Sequence, residues 1–323
     1  MAGAMTVCRK ELADHLGSKR YIVLFALILL LSTLSAYQGA EFIRNQAQAG
    51  FIAIFWRAQF GFSFTSLMVF FGPIIGLALG FDAINKERTS GSLSTLLCQP
   101  IYRDSVINGK FLGGVTALSL LAVSTIGIMC GVAIPVLGFG PAVEDVSRIV
   151  LFTLLTVLYL AFWLGLGLLY STLTKKTSTS ILMSVATWLF FSIVITIIAV
   201  LVANTLAPIQ IPTGWETGRF NITEILESPE FRESLQRRFT IQMNIQRISP
   251  AYLYNEASSG ILGITTGGFG FIGPGAGTPF QPLELTQGLA ASWPQITAIA
   301  VGLVTCFAAS YMLFLRLEIR PGG

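Results

Sequence analysis

The residue types that most often carry chemistry are scarce in this chain and stand apart from one another. There is one histidine, and the cysteines show neither the close spacing of metal ligands nor the pattern of a disulfide framework. These residues are His15, Cys8, Cys98, Cys130 and Cys306. We therefore expect no catalytic residues and no metal site, and we expect that the chain is not an enzyme.

Gly109-Lys110 comes closest to a phosphate-binding loop. Such a loop needs a glycine, four further residues and then Gly-Lys-Ser/Thr, so that backbone N–H groups surround the phosphates. Here Asp104 occupies the first glycine position and Phe111 follows the lysine. The chain is therefore not expected to bind a nucleotide through this motif.

The segment Lys86–Asp104 has the chemistry of a docking surface. Gly91 permits a turn, Ser92 can cap a short helix, and Pro100 ends it. Leucines at i, i+3 and i+4 give this helix an apolar face: Leu93, Leu96 and Leu97. Exposed leucines on a short rigid helix favour a protein partner. The alternative is a helix that lies on the membrane and buries its leucines there.

Six apolar segments must position this docking helix. The chain has 323 residues, of which 53% are hydrophobic and 11% charged, against about 25% charged in soluble domains. Too few charges remain to cover a water-facing surface, so an all-α polytopic membrane protein is predicted. The predicted transmembrane helices are Tyr21–Tyr37, Phe62–Phe81, Phe111–Leu137, Ile149–Ser171, Ser180–Ala203 and Trp293–Leu315.

The basic residues predict the orientation of these spans. Twelve Lys and Arg residues lie on the side of both termini and of Lys86–Asp104, and the short loops on the other side hold three. Basic residues mark cytoplasmic loops. Both termini are therefore expected in the cytoplasm of a cell (inner) membrane protein, and Thr205–Ser292, between the fifth and sixth spans, is expected to be external.

Two further segments are predicted to be amphipathic helices. Thr6–Ser18 has Cys8, Leu12 and Leu16 on one side and charges, including Glu11, on the other, which is typical of an interfacial helix. The external region carries an apolar stripe every four residues, which we predict as a surface for an external partner. The stripe consists of Phe231, Leu235, Phe239 and Met243.

The segment after the second span resembles a motif of ABC-2 type transporter permeases. In that family it forms the coupling helix that docks on the ATP-binding subunit. The matching positions are Glu87, Arg88, Gly91, Leu93, Leu96, Leu97, Pro100, Arg103 and Lys110. Ser249-Pro250 and the tail Phe314–Arg320 are most similar to the branch that contains the nitrous-oxide-reductase maturation permease.

This resemblance implies one transmembrane domain over 1–323 and a permease subunit that works as a homodimer with a separate ABC ATP-binding subunit. Export is the expected direction of transport. ATP and Mg would bind to that subunit, and no cofactor to this chain. One alternative is a membrane subunit that transmits mechanical work to an external accessory protein. Another is an ion-gradient carrier, against which stands the lack of charged residues inside the predicted spans. No nucleic-acid partner is expected.

Overall fold

The computed structural model describes residues 2–45, 50–56, 63–91, 102–208, 229–263 and 284–316. Within these ranges every regular element is helical. The helices are α1 (Ala2–Leu16), α2 (Lys19–Asn45), α3 (Phe64–Gly80), α4 (Asn85–Thr89), α5 (Arg103–Leu137), α6 (Val143–Leu173), α7 (Thr177–Leu189), α8 (Ile195–Leu206), α9 (Pro229–Gln246), α10 (Pro250–Ile261) and α11 (Leu285–Leu315). A 3₁₀ helix spans Phe51–Phe55, and a π-helical turn at Phe190–Val194 joins α7 to α8.

Six helices in the described part of the chain are long and apolar enough to cross a membrane, which confirms the predicted all-α architecture. They are α2, α3, α5, α6, the continuous α7–α8 rod, and α11. Most extend beyond the predicted apolar cores because additional turns continue the helix at one or both ends. Arg103, for example, begins a 35-residue helix whose apolar core was predicted only from Phe111.

The centre of the bundle is the pair formed by α3 and α6. In the most apolar part of each, 61% is buried, against 11% for the fifth span and 17% for the sixth. Glycines of α3 lie on the backbone of α6: a Cβ at Gly76 would stand 2.7 Å from the carbonyl oxygen of Leu160, and one at Gly80 would stand 2.6 Å from that of Leu164. The glycine repeat of α3 therefore serves helix packing inside one protomer.

The bundle has two distinct ends. At the first, called the α1 end, α1 packs across the start of α5, near α4 and the ends of α3 and α6. At the second, called the α10 end, α10 packs against α6, α3 and α11, while α9 packs along α8. The predicted helices at Thr6–Ser18 and Phe231–Met243 correspond to α1 and α9. Most of the glycine-rich stretch after α10 lies outside the described residues.

Candidate functional site

The described structure includes both flanks of the predicted docking helix. Glu87 and Arg88 belong to α4, Gly91 follows that helix, and Arg103 is the first residue of α5. The other predicted docking residues, Leu93, Leu96, Leu97 and Pro100, lie outside the described residues. The geometry of the site is therefore that of α4, which precedes 92–101, and of the start of α5, which follows it.

Gly91 adopts the turn that the sequence predicts. Its φ is +72°, in the left-handed region that glycine reaches without the steric cost of a Cβ. Its N–H bonds to the carbonyl oxygen of Arg88 at 3.3 Å, which closes the last turn after α4. The chain therefore leaves α4 at a defined point, directly before 92–101.

The first flank, α4, is fixed to the end of α6. The Ser171 hydroxyl oxygen accepts hydrogen bonds from the backbone N–H groups of Ile84 and Asn85, at 3.0 and 3.1 Å. Asn85 is fully buried, and its side-chain nitrogen, in the amide orientation that satisfies it, donates to the carbonyl oxygens of Ser171 and Thr174. These bonds satisfy N–H groups at the start of α4 that have no partner within the helix.

The second flank, the start of α5, is fixed by a charge cluster that consists of the buried Lys110 and Glu11, the partly buried Glu87 and the exposed Lys10. The Lys110 ammonium lies 2.9 Å from Glu11 Oε1 on α1 and 2.8 Å from Glu87 Oε1 on α4. The exposed fraction of the Lys110 side chain is 3%. Lys10 adds a second cation, 3.2 Å from Glu11 and 3.6 Å from Glu87. Two cations and two carboxylates thus join three helices.

The electrostatics of the cluster favour its charged form. Burial raises the pKa of Glu11, but the ammonium groups of Lys110 and Lys10 outweigh it, so that the pKa of this carboxyl lies below its ordinary value. Burial lowers the pKa of Lys10, and the carboxylates of Glu11 and Glu87 reverse this, so that its pKa is raised. Each member therefore stabilises the charge of another where isolated charges would be costly.

Two glycines of α5 allow α1 to reach this position. A Cβ at Gly109 would lie 2.6 Å from Val7 Cβ, and a Cβ at Gly113 would lie 2.8 Å from Glu11 Cβ. Any larger residue would push α1 away from α5 and would withdraw Glu11 from Lys110. Close backbone approach and ion pairing therefore depend on each other at this contact.

Two further contacts tie the neighbouring spans to the same end. Arg20, at the start of α2, donates to Asp82 Oδ2 at 2.7 Å and lies over the ring of Phe81. Ser180 of α7 donates to the carbonyl oxygen of Phe81 at 2.7 Å. The segment that follows α3 thus contacts the first, fourth and fifth spans.

The predicted external surface lies at the α10 end. Its residues Phe231, Leu235, Phe239 and Met243 are all partly buried, and their helix α9 packs against α8. An ion pair between Arg247 and Glu256, with a closest approach of 2.6 Å, links the end of α9 to α10. The apolar stripe is therefore less exposed to solvent than it would be on an isolated amphipathic helix.

Buried aromatic and polar contacts hold α10 in the bundle. The Tyr254 ring stacks on Tyr159 with centroids 4.4 Å apart, and the two hydroxyl groups of Tyr254 and Thr156 lie 3.0 Å apart. The buried Arg148 donates to the carbonyl oxygen of Ile261 at 3.1 Å and to Glu144 at 2.7 Å. The region predicted to be external is therefore joined to the central helix α6 through α10, its second helix.

The sequence analysis missed the role of Glu11. It placed Glu11 on the polar side of the first helix and Leu16 on the apolar side, whereas Glu11 is buried and Leu16 is exposed. The physical reason is that α1 rests on the glycine face of α5, where Lys110 supplies a counter-charge. A signal was present: Glu11 lies three and four residues after Cys8 and Val7, on the same helix face.

Comparison with known proteins gives consistent matches. The family described as "ABC-2 family transporter protein" matches residues 5–319. The "Probable ABC transporter permease protein NosY" of Pseudomonas aeruginosa is 30% identical over 204 residues, which cover 62% of this chain and 71% of that protein. The protein of the same name from Stutzerimonas stutzeri is 29% identical over 198 residues, which cover 58% of this chain and 66% of that protein.

Proposed function

The chain belongs to the ABC-2 transporter family, and from this premise we propose that it moves cargo out of the cell with energy from ATP hydrolysed on a separate subunit. Membership makes it a multi-pass membrane subunit of an ABC transporter. The proposal adds the direction of transport, the docking segment and the manner of coupling. ATP and Mg would bind to the partner subunit, and this chain would contribute no catalytic group.

In this proposal the α1 end faces the cytoplasm. The support is the charge distribution, because the twelve basic residues assigned to the cytoplasmic side include those of α1, α4 and the start of α5. The ATPase subunit would then meet 92–101 from the cytoplasm, and α9 and α10 would lie near the outer face of the membrane.

The observation that carries the proposal is the fixation of both flanks of 92–101. Ser171 and Asn85 hold α4 to α6, while Lys110 holds α5 to α1 and α4. A force applied to the docking segment would therefore move these helices together instead of bending a loose loop. Two copies of the chain would rock between inward-facing and outward-facing arrangements as the ATPase subunits close on ATP.

The direct test is docking of the ATPase subunit. We expect Leu96→Asp combined with Leu97→Asp to remove the ATPase subunit from a co-purification with the tagged membrane chain. Leu16→Asp is the matched control, because it makes the same chemical change at an exposed position of the same end. Retention of the ATPase by the double variant would contradict the assigned docking role.

A second candidate function is mechanical action on an external protein. The insertion of α10 beside Tyr159 and Arg148 favours it, because motion of α6 would reach α9 through this contact. Deletion of 231–247 is expected to abolish binding of such a partner while the ATPase subunit still co-purifies. Loss of both would indicate misfolding, and loss of neither would exclude α9 as the binding surface.

A further inference from the structure

A cavity of about 420 Å³ lies at the α1 end, beside the charge cluster. It is lined by residues of α1, the first turns of α2, the end of α3, α4 and, through Lys110, α5. Its lining combines apolar side chains, including Leu24 and Leu79, with charged ones, of which Lys19 and Lys86 are exposed. A cavity with this mixed lining suits an amphiphile whose charged group meets the exposed lysines.

The charges of the lining do not cancel. Lys110 and Lys10 pair with Glu11, Glu87 and Asp14, and Arg20 pairs with Asp82. Two further lysines line the cavity, Lys19 and Lys86, and in the described part of the chain neither has an ion-pair partner. His15 adds no charge at neutral pH, because burial holds its pKa below the ordinary value. The lining therefore has one more positive than negative group.

The cavity lies at the depth of lipid headgroups. Lys19 and Arg20 begin the first span, and the chain becomes apolar directly after them. Ile22 and Val23, in the first turns of α2, are 51% and 65% exposed, so that hydrocarbon chains can lie against them. A boundary between basic side chains and exposed apolar ones is the usual position of the membrane interface.

We propose that this cavity binds the headgroup of an anionic glycerophospholipid, with Lys19 and Lys86 as the ligands of its phosphodiester. One phosphodiester neutralises the single excess positive charge, whereas a zwitterionic headgroup leaves that charge uncompensated. The bound lipid would join the start of α2 to α4, next to the flank of the docking segment. This inference goes beyond the proposed function, because it depends neither on the ATPase subunit nor on the direction of transport.

The test uses the purified full-length chain in a neutral detergent. Short-chain phosphatidylglycerol is expected to raise the melting temperature by at least about 2 °C at saturation, since ligands that bind only the folded state stabilise it. Phosphatidylcholine with the same acyl chains is the control for the apolar part, and inorganic phosphate is the control for the free anion. Native mass spectrometry of the same samples counts the bound lipids.

Lys19→Ala combined with Lys86→Ala is expected to remove the shift and the bound lipid. Lys175→Ala combined with Lys176→Ala removes the same charge from the start of α7, outside the cavity, and is expected to keep both. An equal shift with phosphatidylcholine, an equal shift with inorganic phosphate, or an unchanged response of the Lys19/Lys86 variant would each overturn the proposal.

Discussion

The two ends of the bundle differ in what is buried between their helices, because each ion pair of the α10 end includes a largely exposed side chain. At the α1 end, three helices meet around the buried ammonium of Lys110, which bonds Glu11 and Glu87 at 2.9 and 2.8 Å. At the α10 end, the aromatic rings of Tyr254 and Tyr159 stack, and Phe152 packs near Tyr254. Ion pairing depends strongly on the presence of every partner, whereas the packing of rings weakens step by step when atoms are removed.

This difference has a consequence for coupling. A buried carboxylate without its cation is strongly unfavourable. The ion pairs of the α1 end are therefore expected to be either all formed or all broken, with few intermediate states. An end with this property suits the transmission of force from 92–101, because it does not yield gradually. The α10 end can adjust its packing, which suits a region that opens and closes in the proposed transport cycle.

The largest effect is expected from removal of the central cation. Lys110→Met leaves Glu11 and Glu87 buried without their closest partner, and we expect a loss of about 3–5 kcal/mol in the free energy of unfolding. The midpoint of thermal or denaturant unfolding in detergent measures this. Adding Glu11→Gln and Glu87→Gln to the same chain should recover most of the loss. If the triple variant is as unstable as Lys110→Met, burial of unpaired charge is not the cause.

A smaller, pH-dependent effect is expected from Glu11→Gln, which leaves Lys110 paired with Glu87. The pKa of Glu11 is lowered in the folded chain, so its stabilisation is present above the ordinary pKa, about 4.3 for glutamate, and is lost as the pH falls through the lower folded value. We expect the free energy of unfolding of the wild-type chain to exceed that of the variant by about 1.5–3 kcal/mol at pH 7. Unfolding midpoints of both chains, measured in steps down to acid pH, should converge. A constant difference would contradict the assignment.

The smallest effect is expected at the α10 end. Tyr254→Phe keeps the ring on Tyr159 and removes the hydroxyl that faces Thr156, so we expect a loss of about 1 kcal/mol. The same unfolding measurement applies, and the loss should be independent of pH. A loss as large as that of Lys110→Met would show that the two ends do not differ in the way described.

Local sequence patterns predicted much of the fold. Runs of about 20 apolar residues located all six spans. A helix that crosses the lipid must make its backbone hydrogen bonds internally and needs apolar side chains over its whole length, so that it is visible as a long apolar run in the sequence. Gly91 predicted a turn, since the left-handed backbone region favours a residue without a Cβ. The role of 92–101 in docking stays a prediction.

The rest depends on contacts between residues far apart in the chain. Lys110 meets Glu11 across 99 positions, and Tyr254 meets Thr156 across 98. No local pattern states which distant residue a charge or a ring will meet. Glu11 and Leu16 of α1 were placed on the wrong sides for the same reason, because burial of Glu11 is favourable only with Lys110 beside it. The π-helical turn at Phe190–Val194 likewise has no mark in the local sequence that we recognise.

The central claim is that α1, α4 and the flanks of 92–101 move as one body when the ATPase acts. Spin labels at Ala13→Cys on α1 and Thr89→Cys on α4, both exposed positions, test it by pulsed EPR in a chain whose native cysteines are replaced by alanine. A chain with the Thr89 label alone reports the distance between protomers, and a change there on addition of ATP shows that the assembly responds to nucleotide. Under that condition we predict that the distance between the two labels within one protomer changes by less than about 2 Å. A change of about 5 Å, one helical turn, would contradict the claim.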